Sequence, residues 1–197
     1  MIAAVVPVKA LAEAKSRLTP ALSPEERRAL VVELVARTVL LLRNSGLICA
    51  VALVTPDTSL GEELGVRTLP DSGTLNDSLV HAAAWAAGEG ASGLLILPGD
   101  LPLLQRNDLH ALLSLRSPGI AIAPTQDGGT GALFLRPPDA ITPAFGEGSF
   151  RSHVDQALER GLTVRTVQRD GFTFDLDREE DLARWRRWGT LPITGSA

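Results

Sequence analysis

The 197-residue sequence predicts an α/β protein, a three-layer sandwich of helices on both faces of a mostly parallel mixed sheet. Three observations lead there. Short apolar runs alternate with helix-length segments along the chain, the pattern of repeated βαβ units. The first run, Ile2 to Val8, is apolar without interruption, as a strand buried on both faces should be. No linker, internal repeat or low-complexity segment divides the chain, so residues 1–188 are expected to form one domain and 189–197 a flexible tail.

The elements follow in order. After the first strand comes a loop carrying Lys9, Lys15 and Arg17. "SPEE" then supplies Ser23 as N-cap, Pro24 at the first helical position and Glu26 to close a capping box. That helix runs to about Asn44 and stops at Gly46. The second strand, Leu47 to Val54, contains Cys49, which its apolar surroundings mark as a buried small hydrophobe. "TPDTS", a short helix and a brief strand at Val66 to Leu69 come next. "LNDSLVHAAAWAAG" reads as a helix ending at Gly88, and "GLLILPGDLP" as a strand entering a proline-broken turn. A helix at Asn107 to Leu115 and strands at Ile120 to Ala123 and Ala132 to Leu135 flank a glycine-rich turn. The last third predicts a helix at Phe150 to Glu159, strands at Thr163 to Val167 and Phe172 to Leu176, and a helix from about Glu179.

Composition removes several functions. With 19 basic and 23 acidic side chains and a net charge of −4, the chain has no broad basic field for nucleic acid. Lys9, Lys15 and Arg17 therefore matter as a local cluster, suited to a small anionic ligand. A single cysteine excludes an internal disulfide and a multi-thiolate metal site. No apolar stretch approaches the roughly 18 residues of a membrane span, and Met1 to Val8 has no basic leader region, so a cytoplasmic, membrane-free protein is expected.

Ligands of parallel sheets bind beyond the carboxyl ends of the strands. The unusual polar residues fall there: Lys9 to Arg17, Asp57, Asp71 to Asn76, Asp100, and Asp127 to Thr130. Asp100, held between Pro98 and Pro102 after an apolar strand, suits either a Mg²⁺ ligand or a turn. Asp175 and Asp177 tip the balance. At i and i+2 of a strand they would share a face, and two adjacent carboxylates repel unless a cation lies between them. The alternative for this pair is a solvated strand end. The cationic loop, opposite the proposed metal, would complete a phosphate clamp, and it contains no glycine, so side chains must do what backbone amides do in a P-loop. "QDGGTGA" and "FGEGSF" suggest a second pocket, with Ser149 capping the helix that contains His153. The alternative here is a tight turn and an ordinary cap. His153 and Arg151 read as packing and surface residues.

"VPVKALAEAKSRL", "LND", "LPGDLPLL", "DGGTGALFL", "FGEGSFRSH" and "FDLDREEDL" occur in an order and spacing that resembles the 2-phospho-L-lactate and phosphoenolpyruvate guanylyltransferase family. The resemblance spans Val5 to Leu182. It implies a Rossmann-like fold of the nucleotide-diphospho-sugar transferase (GT-A) type, related to the molybdenum-cofactor guanylyltransferases. It also implies GTP as co-substrate, Mg²⁺ as cofactor and a phosphorylated three-carbon acid as acceptor, in biosynthesis of the deazaflavin coenzyme F420. Residue by residue it suggests Lys9, Lys15, Ser16, Arg17, Asp71 and Asn76 for the nucleotide, and Asp100, Asp175 and Asp177 for the metal. Thr130, Gly146 and Ser149 would hold the acceptor, with Lys15, Arg17 and Asp100 catalytic. A downstream transferase would take the product, and a homodimer is compatible with this reading. Two positions depart from the family pattern: Gly131, where a polar residue often follows the Thr, and Arg178, where a threonine would be expected.

Overall fold

A computed structural model describes residues 1–188, so the expected tail at 189–197 lies outside the described residues. The elements are β1 (Ile2–Pro7), α1 (Pro24–Asn44), β2 (Ile48–Val54), α2 (Thr58–Leu64), β3 (Arg67–Leu69), α3 (Leu75–Gly88) and β4 (Gly93–Ile96). They continue with α4 (Arg106–Leu112), β5 (Gly119–Pro124), β6 (Thr130–Arg136), α5 (Ser149–Glu159), β7 (Thr163–Thr166), α6 (Asp170–Thr173) and α7 (Glu179–Trp188).

The strands form one sheet in the order β3-β2-β1-β4-β6-β5-β7. β6 runs antiparallel to β4 and β5, and the other pairs are parallel. The expected mostly parallel mixed sheet is therefore present. The chain winds from β1 outward to β2 and β3 and then returns to β4 on the other side of β1. This reversal opens a crevice at the carboxyl ends of β1 and β4, where a ligand is expected.

Alternation along the strands builds a core on each face. Ala4 and Val6 of β1 face Val35, Val39 and Leu42 of α1, while Ala3 and Val5 face Leu79, Ala82 and Ala86 of α3. A third cluster joins Leu18 and Leu22 to Leu30 and Leu34 of α1 and to Leu176 and Leu182 near the C-terminus. Burying Leu18 and Leu176 completely contributes about 2 kcal/mol each. That contact fastens the cationic loop to the segment carrying Asp175 and Asp177. The predicted box at the start of α1 is present, with Ser23 Oγ accepting from the Glu26 N–H and Glu26 accepting from the Ser23 N–H.

Three expectations are corrected. Phe172 to Leu176 is not a strand: residues Asp170–Thr173 make one helical turn, and the chain then runs on irregularly. The alternation of "FTFDL" is satisfied differently, with the fully buried Phe172 packed into the core and its carbonyl 2.2 Å from where a Cβ on Gly131 would lie. Cys49 is exposed rather than buried. β3 pairs only with Ala52 to Val54 of β2, so the first residues of that strand extend past their cover. α4 starts at Arg106 and ends at Leu112, short of the expected Leu115.

Candidate active site

The crevice is a cavity of about 870 Å³. Its walls include Lys9, Lys15, Ser16 and Arg17 from the loop after β1, Asp71 after β3, Asp100 after β4, and Asp175 and Asp177 from the C-terminal segment. Eight of the residues singled out in the sequence thus meet in one place.

Local geometry explains how. The loop after β1 is tied down by the Leu11 N–H, which donates to Asp57 Oδ2 at 2.6 Å. It closes in a single 3₁₀ turn, Ser16–Leu18, preceded by Lys15 at φ 55° and ψ 34°. Lys15 is the one non-glycine residue with positive φ among the described residues, and such strain persists only where surrounding structure enforces it. The enforcing contacts are ion pairs. Lys15 Nζ donates to Asp100 Oδ2 at 2.6 Å and to Asp177 Oδ1 at 3.0 Å, and only 6% of its side chain is exposed. Arg17 Nη1 adds a contact to Asp177 Oδ2 at 3.2 Å, but from a side chain that is 68% exposed, so it contributes little to stability. Asp100 reaches this place because Gly99 lets the backbone pass α1. A Cβ there would come within 2.8 Å of Val35.

The electrostatics follow. Burial would lower Lys15, but attraction to Asp100 and Asp177 outweighs it and holds the ammonium above its ordinary value. Burial raises Asp177, and Lys15, Arg17 and Lys9 more than reverse this, leaving it below the usual carboxylate range. Asp175 goes the other way, raised by burial first and then by repulsion from Asp177 and Asp100.

Among the described residues no group of three or more His, Cys, Asp or Glu side chains is arranged to hold a metal ion. Mg²⁺ asks for less, since it commonly uses one or two carboxylates and completes its shell with substrate phosphates and water. Asp100 and Asp177 fit that demand, because they already share a cation, the Lys15 ammonium.

The remaining predicted residues lie elsewhere. Asn76 holds the loop before α5: its Oδ1 accepts from the Phe145 N–H at 2.7 Å and its Nδ2 donates to the Phe145 carbonyl at 3.1 Å. Phe145 in turn lines the cavity. Gly146, at φ 138°, follows it, with open space around its Cα. Thr130 and Ser149 are buried, and their hydroxyls are 3.0 Å apart. Ser149 does not cap α5. Gly148 at φ 66° takes the N-cap position, and Ser149 is the first residue of the helix, its hydroxyl turned to Thr130 instead. Gly131 is required for packing against Phe172, which explains why a polar residue has no room there.

Sequence reasoning missed Phe145 and undervalued His153. His153 is fully buried, contacts Thr130, and stacks edge-on against Phe145 with ring centroids 5.2 Å apart. The signal was present: Ser149 and His153 are one helical turn apart and share a face.

A family model described as guanylyl transferase CofC like matches residues 2–188. The phosphoenolpyruvate guanylyltransferase of Rubrobacter xylanophilus is 45% identical over 188 residues, covering 92% of this chain and 91% of its own length. That of Sphaerobacter thermophilus is 44% identical, covering 98% and 96%. Among solved structures, a protein of Desulfovibrio desulfuricans G20 described as a nucleotide-diphospho-sugar transferase is similar, with a TM-score of 0.80 at 18% identity, covering 98% of this chain and 89% of its own. This last likeness shows the fold.

Proposed function

The chain belongs to the CofC-like guanylyl transferase family, and from that premise we propose that it joins the GMP moiety of GTP to phosphoenolpyruvate, releasing pyrophosphate, in coenzyme F420 biosynthesis. The observation that carries this is the meeting of Lys9, Lys15 and Arg17 with Asp100, Asp175 and Asp177 in one cavity at the β1/β4 crevice. Cations that can turn to phosphate oxygens, in direct contact with carboxylates that can hold a metal, are what binding a metal-complexed triphosphate requires.

In this reading Lys9, Lys15, Ser16 and Arg17 bind the GTP phosphates, and Asp71 faces the nucleoside. Asn76 supports the same pocket through Phe145. Thr130, Gly146 and Ser149 receive the acceptor. A phosphate oxygen of phosphoenolpyruvate attacks the α-phosphorus of GTP. A new P–O bond forms there, the bond to the bridging α,β-oxygen breaks, and that oxygen leaves with its electron pair on pyrophosphate. The nucleophile is already ionised at neutral pH, so the chemistry needs no general base. What it needs is two mutually repelling anions held in line, which is positioning and electrostatics. Lys15 and Arg17 supply positive charge along the triphosphate. Mg²⁺ held by Asp100 and Asp177, with Asp175 beside them, would neutralise further phosphate charge.

The test is pyrophosphate release from GTP and Mg²⁺ with phosphoenolpyruvate, 2-phospho-L-lactate and 3-phospho-D-glycerate. Release that is fastest with phosphoenolpyruvate is expected. No release with any of the acids would overturn the reading and leave a silent nucleotide-binding subunit.

A further inference from the structure

The buried group formed by His153, Thr130 and Ser149 has a hydrogen to spare. Nε2 of His153 lies 2.8 Å from the backbone nitrogen of Ala144, whose only role there is donor, so Nε2 is unprotonated and accepts. The neutral ring therefore carries its proton on Nδ1. Nδ1 is 3.2 Å from Thr130 Oγ1, so it donates to that hydroxyl. Thr130 Oγ1 is also 3.0 Å from Ser149 Oγ, and among the described residues Ser149 Oγ has no other partner.

Three hydrogens, one on Nδ1 and one on each hydroxyl, now serve two hydrogen bonds. Whichever way the hydroxyls rotate, one O–H is left without an acceptor. Were the ring protonated on Nε2 instead, Nδ1 would accept and both hydroxyl hydrogens would be placed, but the Nε2–H would then face the Ala144 N–H, donor against donor. The surplus is thus a consequence of the Ala144 contact. A buried O–H without an acceptor is unfavourable, and an anionic oxygen is the partner it best accommodates.

We propose that His153 is a positioning residue for the acceptor: by holding its proton on Nδ1, it makes the Thr130–Ser149 pair donate one O–H to an anionic oxygen of the phosphorylated acid. This rests on the reading that Thr130 and Ser149 face the acceptor. His153 itself touches no substrate. The same ring braces the wall of the cavity, since it packs on Phe145 and anchors the backbone of Ala144.

The two contacts of the ring can be separated by substitution. His153→Asn keeps an amide near the Nδ1 position, able to donate to Thr130, and abandons Ala144. His153→Gln reaches the Nε2 position, accepts from Ala144 and abandons Thr130. In pyrophosphate-release assays His153→Ala should raise the acceptor KM at least tenfold, with the GTP KM changed less than threefold. His153→Asn should recover much of the acceptor KM, and His153→Gln should not, even where it recovers thermal stability. Recovery by Gln alone would reduce His153 to a loop anchor and overturn the proposal. Should the variants not fold, ¹⁵N correlation spectra of the wild-type imidazole decide: an Nδ1–H ring is expected, and an Nε2–H ring overturns it. Wild-type protein that releases no pyrophosphate would defeat the functional reading. Active wild type with an unaltered acceptor KM in His153→Ala would defeat only this inference.

Discussion

Lys15 Nζ donates to Asp100 Oδ2 at 2.6 Å from a backbone in the left-handed region, joining the loop after β1 to the end of β4. A strained backbone and a buried ammonium are two costs accepted at one residue. Both are offset by the carboxylates the ammonium meets, and cutting the side chain back to alanine removes the buried charge and its ion pairs while leaving the backbone strain in place. Lys15→Ala is expected to lower kcat/KM for GTP by about 10²–10³-fold, the magnitude of losing a preorganised charge contact to the reacting phosphates. Pyrophosphate-release kinetics check this, and an effect confined to the acceptor KM would mean that the two pockets have been exchanged.

The backbone strain predicts a reversal of the usual ranking of small residues. Glycine adopts φ near +55° freely, whereas alanine does not. Lys15→Gly should therefore be more stable than Lys15→Ala by about 1 kcal/mol, measured by urea denaturation, although glycine ordinarily destabilises relative to alanine.

Asp175 and Asp177 should respond to amidation in opposite directions. Asp177 is held below the usual carboxylate range mainly by Lys15, against the effect of burial. Its contribution to stability is present above the unfolded value of 3.8 and is lost as pH falls through its lower folded value. Asp175 is raised, by burial and by its two carboxylate neighbours, so its ionised form opposes folding once pH rises past 3.8. At pH 7, Asp177→Asn should lower the melting temperature and Asp175→Asn should raise it. The difference should shrink towards pH 3. Equal shifts of the same sign would refute the pairing.

Asn76 gives both ends of its amide to the Phe145 backbone. Replacing it with Ala leaves a partly buried N–H and C=O without partners, which costs about 1–3 kcal/mol. Asn76→Asp can still accept from the Phe145 N–H but sets a carboxylate against the Phe145 carbonyl, so it should not restore stability. Chemical denaturation of the two variants is the check, and full recovery by Asp would exclude the paired arrangement.

Much of this was legible in the sequence. Uninterrupted apolar strands fixed the order of elements, and strand ends located Lys15, Asp71 and Asp100, because both signals are local. Asp175 and Asp177 were found for an incomplete reason. They were expected to share a strand face, yet they follow a helical turn and are brought to Lys15 by the packing of Leu176 against Leu18. No periodicity records a contact between residues so far apart in the chain. Ser149 was misread as a cap because Gly148, with its positive φ, takes that position more easily. The part played by His153 was invisible for a similar reason, since it depends on a hydrogen bond to the backbone of a loop.

That hydrogen bond leads to a final expectation, about stability and pH. His153 is enclosed by the Phe145 ring, the Thr130 hydroxyl and the Ala144 N–H, and burial lowers its pKa from 6.5 to about 4. Protonation would give the ring a second N–H, at Nε2, facing the Ala144 N–H. Between pH 6.5 and 4 the unfolded chain carries this proton and the folded chain does not, so stability falls as the solution is acidified. The stabilisation is complete above pH 6.5 and lost progressively down to about 4. At 1.36 kcal/mol per pH unit the interval amounts to about 3 kcal/mol. His153→Gln, which does not titrate, should show a flatter stability profile across this window, and urea midpoints taken at intervals from pH 7 to 4 will measure the difference. Parallel profiles would mean that the ring takes up its proton without disturbing Ala144 or Thr130.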